Sequence, residues 1–327
     1  MRIVYASSPS IGIPCLRTLV DMQLSGADCR VAGVLTNPDS PKKRSGKPEP
    51  TEISAECTLL SEKLLEHGHD SIIQLKPEKL DEKAREEVAN LRPDLLISFA
   101  YGRIFGAKFL NLFPLGGINI HPSLLPKYRG ATPIQAAILN RENETGITIQ
   151  TLALETDAGD ILLQERFPLS GRETTARLSE CVAQKSGELL REVIVSGKRE
   201  GKAQTGEISY CARIEKEHGL IDWSLRAEEI DAKIRAYNPW PLTWTTHKDQ
   251  HLYILEGALY KGKSEIEGSE KEGQVGQVIG TDKEYGILVQ TGEGILGITR
   301  LQYQTKKALD WRSFLNGARD FTQAILG

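Results

Sequence analysis

The sequence predicts a two-part α/β protein: an open, mainly parallel sheet wrapped by helices, followed by a small β-barrel. Three observations predict it. The first half alternates short apolar strand-like runs with amphipathic helical runs, the pattern of a doubly wound sheet. The second half carries five closely spaced strand-like runs divided by glycine-rich turns. Between them, residues 198–208 have the polar, glycine-containing composition of a linker. A chain of 327 residues suits two domains and buries a sizeable core.

Residues 2–6 read as a buried strand and 7–12 as a turn. Leu16, Leu19 and Val20 then recur at helical spacing over 14–24, and Gly26 ends the run. Residues 31–36 form a second strand and complete a βαβ start. It lacks G-x-G-x-x-G, which removes the main support for a nicotinamide enzyme. Residues 37–48 form a long polar loop with Lys42, Lys43, Arg44 and Lys47 among Pro, Ser and Gly. Such a loop is either a solvated surface or a contact for a phosphate backbone.

A helix is expected over 51–65, a strand over 71–75, and a charged helix over 81–91 that stops before Pro93. A buried strand follows over 94–100, then a helix over 106–113. Thr132 and Pro133 are a good cap and first-turn pair for a helix to Asn140. Residues 146–154 and 161–169 read as an antiparallel hairpin, and 175–195 as a long amphipathic helix. The expected domains are 1–197 and 209–327. The second begins with a helix over 227–237 and the stiff corner Asn238-Pro239-Trp240-Pro241. Strands are expected over 242–247, 251–260, 275–281, 286–291 and 295–303. A long charged loop spans 261–273, and a closing helix is expected over 306–318.

Composition narrows the function. The net charge of -3 gives no global nucleic-acid signal, so any such contact rests on local basic patches. No apolar run approaches the roughly 20 residues of a membrane span. The N-terminus enters a strand directly, without a signal-peptide pattern, which points to the cytoplasm. Five scattered cysteines with no C-x-x-C pair are expected as reduced thiols.

The chemistry concentrates at residues 116–130. Strand side chains alternate, so Ile118 and Ile120 share one face while Asn119 and His121 share the other. Pro122 ends the strand and leaves His121 at its C-terminal edge, where open α/β sheets bind ligands. A lone histidine at a strand end is more often structural than catalytic. Here an amide sits two residues away, and a polar turn, Glu155-Thr156-Asp157-Ala158-Gly159-Asp160, can add a carboxylate. Asn, His and Asp together can polarise a carbonyl, move a proton and orient the imidazole.

Asn119-x-His121 followed by Ser123-Leu124-Leu125-Pro126 resembles the signature of the 10-formyltetrahydrofolate-dependent formyltransferases. Asp157 matches the aspartate of their D-x-G-D turn. Residues 210–214, Ile221-Asp222-Trp223, residues 236–241 and Lys306-Lys307-Ala308-Leu309 resemble the second domain of the methionyl-tRNA formyltransferase family, and the likeness covers nearly the whole chain. The first turn departs from the family pattern, with Ser7-Ser8-Pro9 where Gly-Thr-Pro is usual.

The resemblance implies a Rossmann-like catalytic domain and an OB-like second domain. It implies formyl transfer from 10-formyltetrahydrofolate to the α-amine of methionine on initiator tRNA, by direct acyl transfer without a metal, in a monomer. Asn119 then donates to the developing oxyanion, His121 stabilises it or handles a proton, and Asp157 orients His121 and favours its charged form. The folate lies against Phe99, Tyr101, Gly102 and Ile104, the 123–126 loop (Ser123, Leu124, Leu125, Pro126) and Asp160. The tRNA backbone is contacted by Lys42, Lys43, Arg44, Lys47, Lys306 and Lys307, with Lys198, Arg199 and Lys202 adding charge. Rival readings are the same chemistry on a small amine, a formyl-folate hydrolase, and a non-catalytic RNA-binding module.

Overall fold

The structure is a computed structural model that describes residues 1–41, 46–262 and 273–327. It divides into two compact units. The first comprises 1–133, 144–168 and 178–212; the second comprises 134–143, 169–177 and 213–327.

In the first unit, strands β1 (Arg2–Ala6), β2 (Arg30–Leu35), β3 (Ile73–Leu75), β4 (Leu95–Phe99), β5 (Gly117–His121), β6 (Glu144–Thr151) and β7 (Ile161–Pro168) make one sheet, in the order β7-β6-β5-β4-β1-β2-β3. Five strands run parallel; β6 and β7 add an antiparallel edge. The order reverses at β1, because the chain builds outward to β3 and then returns to lay β4 on the other side. Ligand crevices of doubly wound sheets lie at the C-terminal strand ends near such a reversal.

The helices sit where the periodicity places them. Helix α1 (Ile13–Leu24) buries Cys15, Leu16, Leu19 and Val20. The Thr51 hydroxyl accepts from the Ser54 amide and caps α2 (Glu52–Glu66), and the Asp81 carboxylate caps α3 (Glu82–Asn90) in the same way. The helix expected over 106–113 is a single turn, α4 (Ala107–Leu110), followed by turn hydrogen bonds up to Pro114. Its aromatic residues still pack: Phe105, Phe109 and Phe113 join Tyr101, Val4, Ala6 and Leu96 in one core cluster. Helix α5 is Pro133–Leu139, and helix α6 (Thr175–Ser196) is the longest described.

The segment expected as a free linker is hydrogen-bonded to the first unit. Lys202 exchanges backbone bonds with Ile161, and Tyr210–Cys211 pairs in parallel with Arg129–Gly130. Its cations are drawn in too. The Lys198 ammonium donates to the Leu162 carbonyl at 2.6 Å, and Arg199 reaches the Met1 sulfur at 3.3 Å. Polar composition alone does not distinguish a solvated linker from a strap whose polar groups are satisfied by the domain beneath it.

The second unit holds helix α7 (Ala227–Ala236) and an antiparallel sheet of β8 (Thr243–His247), β9 (Gln250–Leu259), β10 (Val278–Asp282), β11 (Gly286–Gln290) and β12 (Ile295–Tyr303), ordered β8-β9-β12-β11-β10. The C-terminal residues bridge the two edge strands. Gln277 pairs with Ile325, and the Gly327 amide donates to the Thr246 carbonyl at 3.2 Å. That seals edges which would otherwise present unpaired backbone. The closing helix expected over 306–318 is shorter. Leu309–Asp310 pairs with β12, and the Asp310 carboxylate caps α8 (Trp311–Gly317) by accepting from the Arg312 and Ser313 amides. Lys306 and Lys307 are therefore exposed on the turn after β12, not on a helix.

Candidate active site

Asn119 and His121 project from one face of β5, as strand alternation requires. In register, Asn119 lies between Ser98 of β4 and Gln150 of β6, and His121 lies opposite Thr148. Asp157 comes from the turn joining β6 to β7. Its carboxylate accepts from Asn119 Nδ2 at 3.2 Å, from Gln150 Nε2 at 3.1 Å and from the Gly130 amide at 2.8 Å. The same Oδ1 stands 3.5 Å from His121 Nδ1. Two neighbours on β5 and a residue from a distant turn thus form one cluster, entirely within the first unit.

The hydrogen bonds fix the histidine tautomer. His121 Nε2 lies 2.8 Å from the Tyr128 carbonyl, which can only accept, so Nε2 carries the proton. Nδ1 then presents its lone pair toward Asp157 and the site. His121 is only 3 % exposed. Burial pushes its pKa below the ordinary imidazole value, while the Asp157 charge and the Tyr128 bond push it back up. Burial wins. The Asp157 charge favours the protonated ring, as the resemblance implies, but burial outweighs it and lowers the pKa on balance.

Two glycines make the geometry possible. Gly159 lies so close to the Thr151 backbone that a Cβ would sit 1.7 Å from its carbonyl oxygen. Gly130 has φ +118, and a Cβ there would meet the Cys211 carbonyl at 2.4 Å. Asp157 itself holds φ +52, an unfavourable conformation for a residue with a side chain. A turn with φ > 0 followed by a glycine packed on a strand is what delivers the carboxylate to β5.

The family models match over most of the chain. A formyl transferase model covers residues 1–194, and a formyl transferase C-terminal domain model covers 213–319. A methionyl-tRNA formyltransferase of Treponema denticola is 44% identical over 99% of this chain and 98% of its own. One of Borreliella burgdorferi is 38% identical over 98% and 96%. The chain belongs to the methionyl-tRNA formyltransferase family. Among solved structures, the methionyl-tRNA formyltransferase of Clostridium thermocellum superimposes with TM-score 0.56 at 17% identity, covering 80% of this chain and 95% of that one. An N-formyltransferase of Helicobacter canadensis, in complex with folinic acid and dTDP-3-aminofucose, gives 0.61 at 19%, covering 92% and 98%. These structures share the fold.

In this family member the residues expected around the folate divide by orientation. Phe99 and Tyr101 turn into the core, 1 % and 2 % exposed, so their side chains do not face solvent. Ala100 (φ 52) and Gly102 (φ 80) hold positive φ in the same segment, and Ile104 projects into solvent at 77 % exposure. The Ser123 hydroxyl donates to the Lys127 carbonyl at 2.6 Å and its carbonyl accepts from Thr148, which makes it a turn former. Leu125 and Pro126 are buried, Leu124 is half-buried, and Asp160 is exposed with its amide on the Thr151 hydroxyl. Of the basic residues, Lys47 is exposed; Lys42, Lys43 and Arg44 lie outside the described residues. No group of three or more His, Cys, Asp or Glu among the described residues is arranged to hold a metal ion. No described helix is long and apolar enough to cross a membrane.

Sequence reasoning missed Gln150, Arg129 and Gln204. Gln150 alternates with buried Ile149 on β6, and a polar residue facing Asn119 across the ladder was a readable signal. Arg129 is 6 % exposed, so its charge requires partners. Gln204 carried no local signal at all.

Proposed function

We propose that this chain transfers the formyl group of 10-formyltetrahydrofolate to the α-amine of methionine carried by initiator tRNA. One observation carries the reading: Asn119, His121 and Asp157 converge within hydrogen-bonding reach in a chain whose relatives, matched along both halves, are methionyl-tRNA formyltransferases. The residues present fit a folate. The exposed Ile104 side chain and the backbone of 100–104 suit a flat heterocycle with polar edges. When bound, the folate supplies the one-carbon unit and the N10 leaving group.

The protein's own groups then act as follows. Asn119 gives one N–H to Asp157, and the other has no acceptor among the described residues. That second N–H donates to the formyl oxygen as negative charge develops, a preorganised contact that contributes about 3–4 kcal/mol. His121 Nδ1 accepts the proton released by the attacking amine and can return it to the departing nitrogen, and the Asp157 carboxylate beside it stabilises the imidazolium between the two transfers. His121 Nε2 stays on the Tyr128 carbonyl throughout, which holds the ring plane. No covalent enzyme intermediate is needed.

The domain expected over 209–327, of which 213–327 falls in the second unit, is read as an OB-like tRNA-binding domain in a cytoplasmic monomer. Exposed Lys306, Lys307 and Lys47, together with the loop bearing Lys42, Lys43 and Arg44, supply the phosphate contacts. The direct test is transfer of labelled formyl to methionine-charged initiator tRNA, with free methionine and an amino-sugar nucleotide alongside. Label on the tRNA alone supports the reading. Label on a small amine, or formate release without a tRNA product, overturns it.

A further inference from the structure

The Asp157 turn is held from behind by a residue of the strap that follows α6. Gln204 Nε2 donates to the Asp157 carbonyl at 2.8 Å and to the Gly159 carbonyl at 2.8 Å. Its Oε1 accepts from Arg129 Nε at 3.1 Å and Nη2 at 2.8 Å. The amide orientation is chemically forced. A guanidinium has donors only and carbonyls have acceptors only, so the reversed amide would oppose like groups at every contact. Gln204 Nε2 also lies 3.2 Å from Gln150 Oε1, and Gln150 Nε2 donates to the Asp157 carboxylate. Arg129 thus donates to Gln204, whose two N–H bonds go to the two turn carbonyls, while Gln150 separately donates to the Asp157 carboxylate. Arg129 is balanced at its far end by Glu155 at 3.2 Å.

We infer that Gln204 is a positioning residue of the active site, fixing the main chain at 157–159 and with it the carboxylate that faces His121. Removing it orphans two carbonyls on a turn that already carries Asp157 at φ +52. The turn then relaxes, and the carboxylate leaves its place 3.5 Å from His121. The strap at 202–211 is on this account part of the catalytic unit. Its catalytic consequence rests on the proposed formyl transfer; its effect on His121 does not.

Two variants test it. Gln204→Met keeps the volume and removes every polar contact. Gln204→Glu keeps the bond from Arg129 but turns an acceptor toward the two carbonyls, and it serves if the first melts. The readout free of substrate is the His121 imidazole titration, followed by NMR. Asp157 raises that pKa, so its retreat lowers it, by about half a unit or more. In the transfer assay kcat falls about 10- to 100-fold with KM for both substrates nearly unchanged, as for a misplaced reacting group. A residue that merely tied down the strap would lower thermal stability and leave both the titration and kcat alone. Folded variants with unchanged titration and unchanged kcat overturn the inference. A shifted titration in a protein that formylates no tRNA upholds it and overturns the proposed function instead.

Discussion

Two buried histidines, one in each unit, show how differently the fold can surround an imidazole. His121 sits at a strand end between a carbonyl on Nε2 and a carboxylate beside Nδ1. His247, on β8, lies edge-on to Phe321 with ring centroids 4.8 Å apart. Its Nδ1 is 2.6 Å from the Tyr303 hydroxyl, and its Nε2 has no partner among the described residues. Burial lowers both pKa values. At His121 the next influence is the Asp157 charge, which favours a proton. At His247 it is Lys248, which opposes one, with Asp320 working the other way. A buried histidine can gain and lose a proton usefully only where a carboxylate is placed to receive the charge. Burial by itself makes it a packing residue.

The widest separation is expected between His121→Ala and His247→Ala. The first lowers kcat of formyl transfer about 10²- to 10⁴-fold, in addition to the stability cost of truncating a buried, hydrogen-bonded side chain. The second leaves kcat within about twofold and costs roughly 2–4 kcal/mol of stability through the cavity it opens. Paired kinetics and urea melts read both. Equal kinetic losses would break the comparison.

Asn119→Ala sharpens the catalytic side. Loss of the oxyanion donor lowers kcat about 10²- to 10³-fold while folate affinity changes much less. Single-turnover transfer and equilibrium folate binding separate the two. Gly159→Ala tests delivery of the carboxylate. The added Cβ displaces Asp157 from β5, and kcat falls about 100-fold with unchanged far-UV circular dichroism.

The smallest effect is on pH dependence. On the proposed mechanism His121 accepts a proton, so kcat falls as pH drops through a pKa that burial holds below the ordinary imidazole value. Stability carries the same sign for both rings. With folded pKa values lowered, the unfolded chain binds protons first as pH falls below 6.5, so stability is lost there and regained as pH rises. His247→Phe removes one of the two contributions. It flattens the stability profile in that window and leaves the acid limb of kcat in place.

The fold was legible because hydrophobic periodicity is a local signal. Leu16, Leu19 and Val20 fix a helix face without reference to anything distant, and the buried run at 95–99 announces a strand buried on both faces. Elements misjudged in length were ended by features weak in sequence. Asp310 caps a helix only once Leu309–Asp310 pairs with β12, and the 106–113 run becomes one turn because its aromatic residues pack as a cluster before Pro114. Half of the site was equally legible. Asn119 and His121 follow from strand alternation; the turn between two strands offered Glu155, Asp157 and Asp160, and the family resemblance singled out Asp157.

By itself the sequence determined the alternation of strands and helices, the two-part organisation, and the side chains that can perform acyl transfer, because each of these is written within a window of a few residues. Only the tertiary structure decided that burial lowers the His121 pKa and that Nε2 is the donor nitrogen. That depends on the Tyr128 carbonyl and on burial by the assembled sheet. Tertiary structure also decided that Gln204, 47 residues from Asp157 in a polar stretch, stands behind the catalytic turn. A hydrogen bond between distant residues leaves no periodicity in the chain. Its energy exists only after the backbone has brought donor and acceptor together and excluded the water that would otherwise satisfy both.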